Sequence, residues 1–175
     1  DVVEILWEFL VNQYEMSPMN AAALIGNIIA EGKFAEQQGT GALLTDIGQA
    51  RKLLGRGEKG YGIAQWTYKS RQNVLLQYYE LAHEIYPDDW DRVKITAECS
   101  MLIEEVKAYK VFEDIKVDTS IEDATGLVCM NYEAYRGCEK QWTKQNGVYK
   151  LVAGSNSNGY HRMSYANSVY EYFMN

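Results

Sequence analysis

Apolar positions recur along most of the chain at the three-to-four-residue spacing of amphipathic helices, with one short glycine-punctuated stretch between them. Val3, Leu6, Trp7 and Leu10 mark one face of a first helix, whose start Asp1 and Glu4 can close as a capping box. A second helix from about Pro18 to Glu31 is almost wholly apolar, with Ser17 placed to cap it and Pro18 at the first helical position. A short helix is expected over Ile47 to Leu54. Three longer ones follow: Ser70 to about Glu84 on Val74, Leu75, Tyr78 and Leu81; Asp91 to about Tyr109 on Ile95, Cys99, Leu102, Ile103 and Val106; and Ser120 to about Tyr135 on Ala124, Leu127, Val128 and Asn131. A last helix is predicted from about Tyr160 to Phe173. Gly60 to Thr67 reads as strand or extended structure, whereas Arg136 to Asn158 is polar and expected to be irregular. The connection from Gly32 to Gly60 is long, and long connections are more often functional loops than spacers.

The second helix carries its chemistry at its end. Leu24, Ile28 and Glu31 share one face, so the greasy face delivers a carboxyl to the last turn, just before Gly32. Apolar neighbours and the negative end of the helix dipole would both help that carboxyl hold its proton. A neutral carboxylic acid is what a glycosidase uses to protonate a leaving sugar oxygen. The plainer alternative is a last-turn glutamate that reaches solvent, as glutamates ordinarily do.

Two runs give the chain a family likeness. Met19-Asn20-Ala21-Ala22-Ala23-Leu24-Ile25-Gly26-Asn27-Ile28-Ile29-Ala30-Glu31-Gly32 is followed by Gly60-Tyr61-Gly62-Ile63-Ala64-Gln65-Trp66 and then Arg71. Together with the ending Arg162-Met163-Ser164-Tyr165-Ala166-Asn167, they resemble the phage tail lysozyme family of the lysozyme-like superfamily. The likeness spans nearly the whole chain, although 32–60 and the part after Tyr135 are too irregular to align. It implies an α+β, predominantly α-helical lysozyme-like fold with a small β element. It also implies cleavage of the β-1,4 bond between N-acetylmuramic acid and N-acetylglucosamine, with Glu31 as general acid. One departure is Gly32, where the family commonly has serine; a possible hydroxyl partner is lost, but glycine suits a helix end.

Glycoside hydrolysis usually needs a second carboxylate. Glu36, Asp46 and Glu58 in the long loop are candidates, each with a simpler reading as a solvated loop charge. Glu133, within Asn131-Tyr132-Glu133, stands where similar proteins carry an aromatic-Glu pairing, and it could equally orient Tyr61 or Arg162. Some lysozyme-like relatives act without a second acid, as lytic transglycosylases in which the muramic C6 hydroxyl attacks; Glu31 alone would then suffice. For substrate binding the candidates are Tyr61, Gln65 and Trp66, with Tyr68 as a further nearby aromatic. The Gln65 amide can donate to an acetamido oxygen and accept from a hydroxyl, or it can simply stabilise a hairpin.

Composition narrows the remaining classes. With 175 residues and 47% hydrophobic content, one domain over 1–175 is expected, and a start at Asp1 suggests excision from a longer protein. A formal net charge of −7 argues against nucleic acid, and no apolar run approaches membrane-span length. The partner implied by the likeness is a bacterial peptidoglycan glycan strand, met outside the cell or from a virion tail without membrane insertion. Its recognition would rest on stacking and hydrogen bonds, for which 14 tyrosines and four tryptophans are available, most of them surely packing residues.

Only His83 and His161 are present, with no HExxH and no cluster of Cys and His, so no metal and no cofactor is expected. Cys99 falls mid-helix and is a poor candidate nucleophile. Gly55-Arg56-Gly57-Glu58-Lys59-Gly60 lacks the order of a phosphate loop. Cys99, Cys129 and Cys138 are an odd set in which a Cys129–Cys138 disulfide is the pairing to test. The rival from another class is a non-catalytic peptidoglycan-binding module, favoured by Gly32 and the negative charge and opposed by Glu31.

Overall fold

A computed structural model describes residues 2–32, 44–108 and 118–175. In chain order the helices are α1 (Val2–Glu8), α2 (Pro18–Gly32), α3 (Ile47–Leu53), α4 (Lys69–Ile85), α5 (Trp90–Ala108), α6 (Ile121–Val128) and α7 (Asn158–Met174). Strands β1 (Trp142–Gln145) and β2 (Val148–Leu151) stand between α6 and α7. The architecture is α+β and predominantly helical, with one small antiparallel sheet. Two compact units are formed: Asp1–Ala30 with Val106–Asn175, and Glu31–Glu105.

Local chemistry sets the helix starts. The Ser17 hydroxyl accepts the Asn20 backbone N–H at 3.4 Å and the Asn20 side-chain amide at 2.6 Å, so α2 begins at Pro18 as its sequence predicts. Ser120 caps α6 by accepting the Asp123 N–H at 2.9 Å. The capping box expected at Asp1 lies outside the described residues. A π-helical turn extends α1 over Phe9–Gln13 and another extends α6 over Cys129–Glu133; the latter ends on Ala134 in the left-handed region at φ 44°.

In the first unit every residue of α2 from Ala21 to Ile28 is buried, so this helix is a core element rather than one with a single greasy face. Leu6 and Leu10 are buried on the predicted face of the first helical segment, and Trp7 stacks flat on Phe173 of α7 at 4.4 Å. α6 packs on β2 and on α7. Cys129, Tyr135, Cys138 and Trp142 form a buried cluster, and all three cysteines are free thiols, so the Cys129–Cys138 bridge is not formed.

The β element sits elsewhere than predicted. β1 and β2 pair antiparallel with Trp142 opposite Leu151 and Gln145 opposite Val148, inside the segment expected to be irregular. The connecting residues Asn146 and Gly147 both have positive φ, 52° and 82°, the conformation of a two-residue primed turn that follows the twist of the strands. Gly60 to Thr67 is a turn closed by a single bridge between Tyr61 and Trp66.

In the second unit α3 packs on α4, and the buried stripe of α4 is Gln72, Leu75, Tyr79 and Ala82. Val74 and Leu81, assigned by spacing to the buried face, are exposed along with Ile85. The face is rotated because the stripe begins on the buried Gln72 amide, which apolar spacing does not count. Trp90 closes the end of this unit, its indole N–H donating to the Leu44 carbonyl at 2.7 Å and its ring tilted against Tyr79 at 5.5 Å.

Candidate functional site

The Gly60–Trp66 run folds into a turn whose ends exchange two backbone hydrogen bonds, Tyr61 N–H to Trp66 carbonyl at 3.1 Å and Trp66 N–H to Tyr61 carbonyl at 2.9 Å. Inside it the Gln65 N–H donates to the Gly62 carbonyl at 3.1 Å, and the Gln65 Nε2 donates to the same carbonyl at 2.9 Å. Gln65 lies at φ 52°, a left-handed conformation unusual for a residue with a side chain, and its own amide steadies the turn that imposes it. Gly62 is at φ 78°, and a Cβ there would stand 2.7 Å from the Trp66 ring and 2.8 Å from a Glu98 carboxyl oxygen. Only glycine fits.

Three polar side chains from outside the turn fix it. Gln72 is fully buried: its Oε1 accepts the N–H groups of Gly55 at 2.9 Å and Gly57 at 3.3 Å, while its Nε2 donates to the carbonyls of Lys59 at 2.6 Å and Trp66 at 3.0 Å. Glu98, also buried, accepts the Ile63 N–H at 2.8 Å. Glu105 accepts the Trp66 indole N–H at 2.8 Å and holds Arg71 in a two-point pair, Nε at 2.8 Å and Nη2 at 2.7 Å. Spacing alone misses all three, although a glutamate next to Cys99 in the middle of an apolar-periodic helix was a visible anomaly.

These contacts correct the aromatic candidates. Trp66 is 0% exposed and Tyr61 5%, so neither presents a ring face to a ligand; they are the packed ends of the turn. Gln65 is half-buried, and Tyr68, two residues past the bridge, is 71% exposed.

Glu31 lies in the last turn of α2, where burial gives way: Ile28 is buried, Ile29 and Ala30 are half-buried and Glu31 is exposed. Apolar neighbours therefore do not desolvate its carboxyl as the helix pattern suggested, because the apolar surround ends one turn too early. Among the other acids, Asp46 caps α3 by accepting the Gln49 N–H at 2.8 Å and Glu58 is an exposed loop residue. Glu36 lies outside the described residues. Glu133 is half-buried at the end of the π-helical turn after α6. It is near enough to Cys129 to act on its thiol, which burial pushes up to about 12, with Arg162 opposing and Glu133 reinforcing the rise.

The remaining motif residues meet in the first unit. A Cβ on Gly26 would lie 2.6 Å from the backbone nitrogen of Ala166, so α2 and α7 approach backbone to backbone there. One position on, buried Asn27 donates from Nδ2 to the Ala23 carbonyl at 2.9 Å. Its Oδ1 accepts from Arg162 Nη1 at 2.8 Å and from the Cys129 thiol at 3.3 Å. Arg162, 2% exposed, also donates from Nε to Asn158 at 3.0 Å, and its guanidinium lies 4.3 Å from the Tyr135 ring centroid. Tyr135 in turn accepts the Trp142 indole N–H at 3.1 Å and donates to Gln141 at 2.7 Å. The Gly-Asn of the helix run and the Arg…Ala of the C-terminal run are thus the two halves of one joint.

Among the described residues no group of three or more His, Cys, Asp or Glu side chains could hold a metal ion, and no helix is long and apolar enough to cross a membrane. A family model described as phage tail lysozyme matches residues 1–173. No curated protein and no solved structure matches the chain.

Proposed function

The chain belongs to the phage tail lysozyme family, whose name assigns it a lytic role on peptidoglycan, and from that premise we propose that it cleaves the glycan strand with Glu31 as general acid. The observation that carries this reading is the division of labour within the family motifs. Gly26, Asn27, Arg162 and Ala166 are consumed by a buried joint, and Gly62 and Trp66 by a packed turn. Glu31 is the motif carboxyl left exposed, at a helix end where a ligand can reach it. A strand lying over Glu31 would strip water from the carboxyl, and a desolvated carboxyl keeps its proton until the leaving oxygen takes it.

The bond cut in this reading is the β-1,4 link between N-acetylmuramic acid and N-acetylglucosamine, and water is the acceptor, with Glu133 as the second carboxylate. Gln65 contributes an amide to the sugar from its fixed position on the turn. The virion-associated or extracellular face of the bacterial cell wall is where such an activity acts.

A second reading is favoured by one observation. Glu133 and Arg162 act in opposite senses on the buried Cys129 thiol, so both charges lie near it. Were Glu133 to serve as counter-charge to Arg162 it would be a poor base, and Glu31 would then work alone as in a lytic transglycosylase. Purified peptidoglycan sacculi incubated with the protein and analysed by mass spectrometry separate the outcomes. Reducing N-acetylmuramic ends are expected; 1,6-anhydro ends would transfer the assignment to transglycosylation, and intact strands would leave a binding module.

A further inference from the structure

We infer that Tyr68 is the sugar-stacking platform of this protein, taking the flat C–H face of a β-linked N-acetylhexosamine beside the Gln65 amide; the inference rests on the glycan-binding reading above. The segment from Tyr61 to Tyr68 carries three large aromatics, and the fold treats them oppositely. Tyr61 and Trp66 form the bridge and are buried, whereas Tyr68 keeps 71% of its surface in water. A phenol ring is a large apolar surface with a polar tip, and a folded chain gains by covering it.

The ring is exposed but its backbone is held. Tyr68 is the residue before α4, with φ −63° and ψ 140°, and its carbonyl accepts the first α4 bond from the Gln72 N–H at 2.9 Å. Gln72 in turn grips the Trp66 carbonyl at 3.0 Å, and the Thr67 hydroxyl between them donates to the Gln65 carbonyl at 3.0 Å. Gln65 and Tyr68 are therefore carried on one braced stretch of backbone. An amide and an exposed aromatic ring placed in this way fit a ligand that offers both hydrogen-bonding groups and an apolar face, and an uncharged contact suits a chain of net charge −7. Little ordering entropy is lost on binding when the backbone is already fixed.

The test is sedimentation of the full chain with purified peptidoglycan sacculi, with fragment release followed separately. Tyr68→Ala is expected to weaken binding by roughly fivefold or more, while Tyr68→Phe, which keeps the ring, binds within about twofold of the parent. Thermal midpoints should agree because the side chain is largely exposed; should Tyr68→Ala disturb the start of α4, Tyr68→Ser restores a good capping residue and serves in its place. Unchanged binding by the alanine or serine variant overturns the platform, even if fragment release proves the glycan-cleaving reading right. Equal loss in Tyr68→Phe assigns the contact to the hydroxyl and overturns stacking. Absence of binding by the parent chain overturns the platform, whereas bound but uncut sacculi would defeat only the cleavage reading.

Discussion

Two motif-bearing regions of this protein are held together by opposite means. The joint of Gly26 and Asn27 with Arg162 and Ala166 is a close approach of two helix backbones, sealed by a buried guanidinium that is satisfied by two asparagine oxygens and covered by the Tyr135 ring. The Tyr61–Trp66 turn has no such contact between elements. It is a strained loop, with left-handed residues at both corners, pinned by the side chains of Gln72, Glu98 and Glu105. Shape holds the first and polar anchoring the second. Residues that identify a family by sequence can thus be architectural in two different ways, while the side chain proposed to do chemistry, Glu31, is exposed at a helix end.

The largest effect is expected at the close approach. Gly26→Ala inserts a methyl 2.6 Å from a backbone nitrogen that cannot turn aside, and it should lower unfolding free energy by about 2–3 kcal/mol in chemical denaturation. A near-neutral result would show that α7 slides freely on α2. Gln72→Leu keeps the volume but strands four backbone groups of the loop, at an expected cost of about 2 kcal/mol. Its signature should be local: amide hydrogen exchange at Gly55 and Gly57 should rise first, and a uniform rise across the chain would argue against a pinned turn.

Asn27→Ala removes one acceptor from Arg162 and should cost about 1–2 kcal/mol, less than Gly26→Ala because Asn158 and the Tyr135 ring remain. The smallest effect concerns the thiols. Burial pushes both Cys99 and Cys129 up to about 12 from an ordinary thiol value of 9.0. Stability from keeping them neutral is full below about pH 9 and is lost as pH rises toward 12. At pH 8 the native protein should therefore resist alkylation at both positions, while denatured chain labels all three cysteines; rapid native labelling of Cys99 would show that its helix opens.

The same contrast explains what could be read from the sequence. Helix starts were legible because Ser17, Pro18 and Ser120 act on their own neighbours, and apolar spacing marks Cys99, Leu102, Ile103 and Val106 as the buried side of α5, whereas α2 is buried on all sides from Ala21 to Ile28. The hairpin announced itself in Asn146-Gly147, a local signal hidden by the polar residues around it. The buried face of α4 was misplaced because Gln72 looks like a surface residue until the loop carbonyls and amides it serves are in view. Trp66 and Tyr61 read as ligand-facing aromatics for the same reason: their partners, Glu105 for the indole and the bridge for both, come from tertiary structure. Glu31 was correctly placed at a helix end, but the expected apolar surround was not, since periodicity does not tell where a core stops.

The central claim is that Glu31 supplies the proton, and its most direct test is turnover of purified peptidoglycan by Glu31→Gln beside the parent chain. Because the side chain is exposed, the variant should fold with an unchanged thermal midpoint. Release of glycan fragments is expected to fall by ~100-fold or more, the usual worth of a positioned general acid. Undiminished release by a properly folded Glu31→Gln protein would contradict the account.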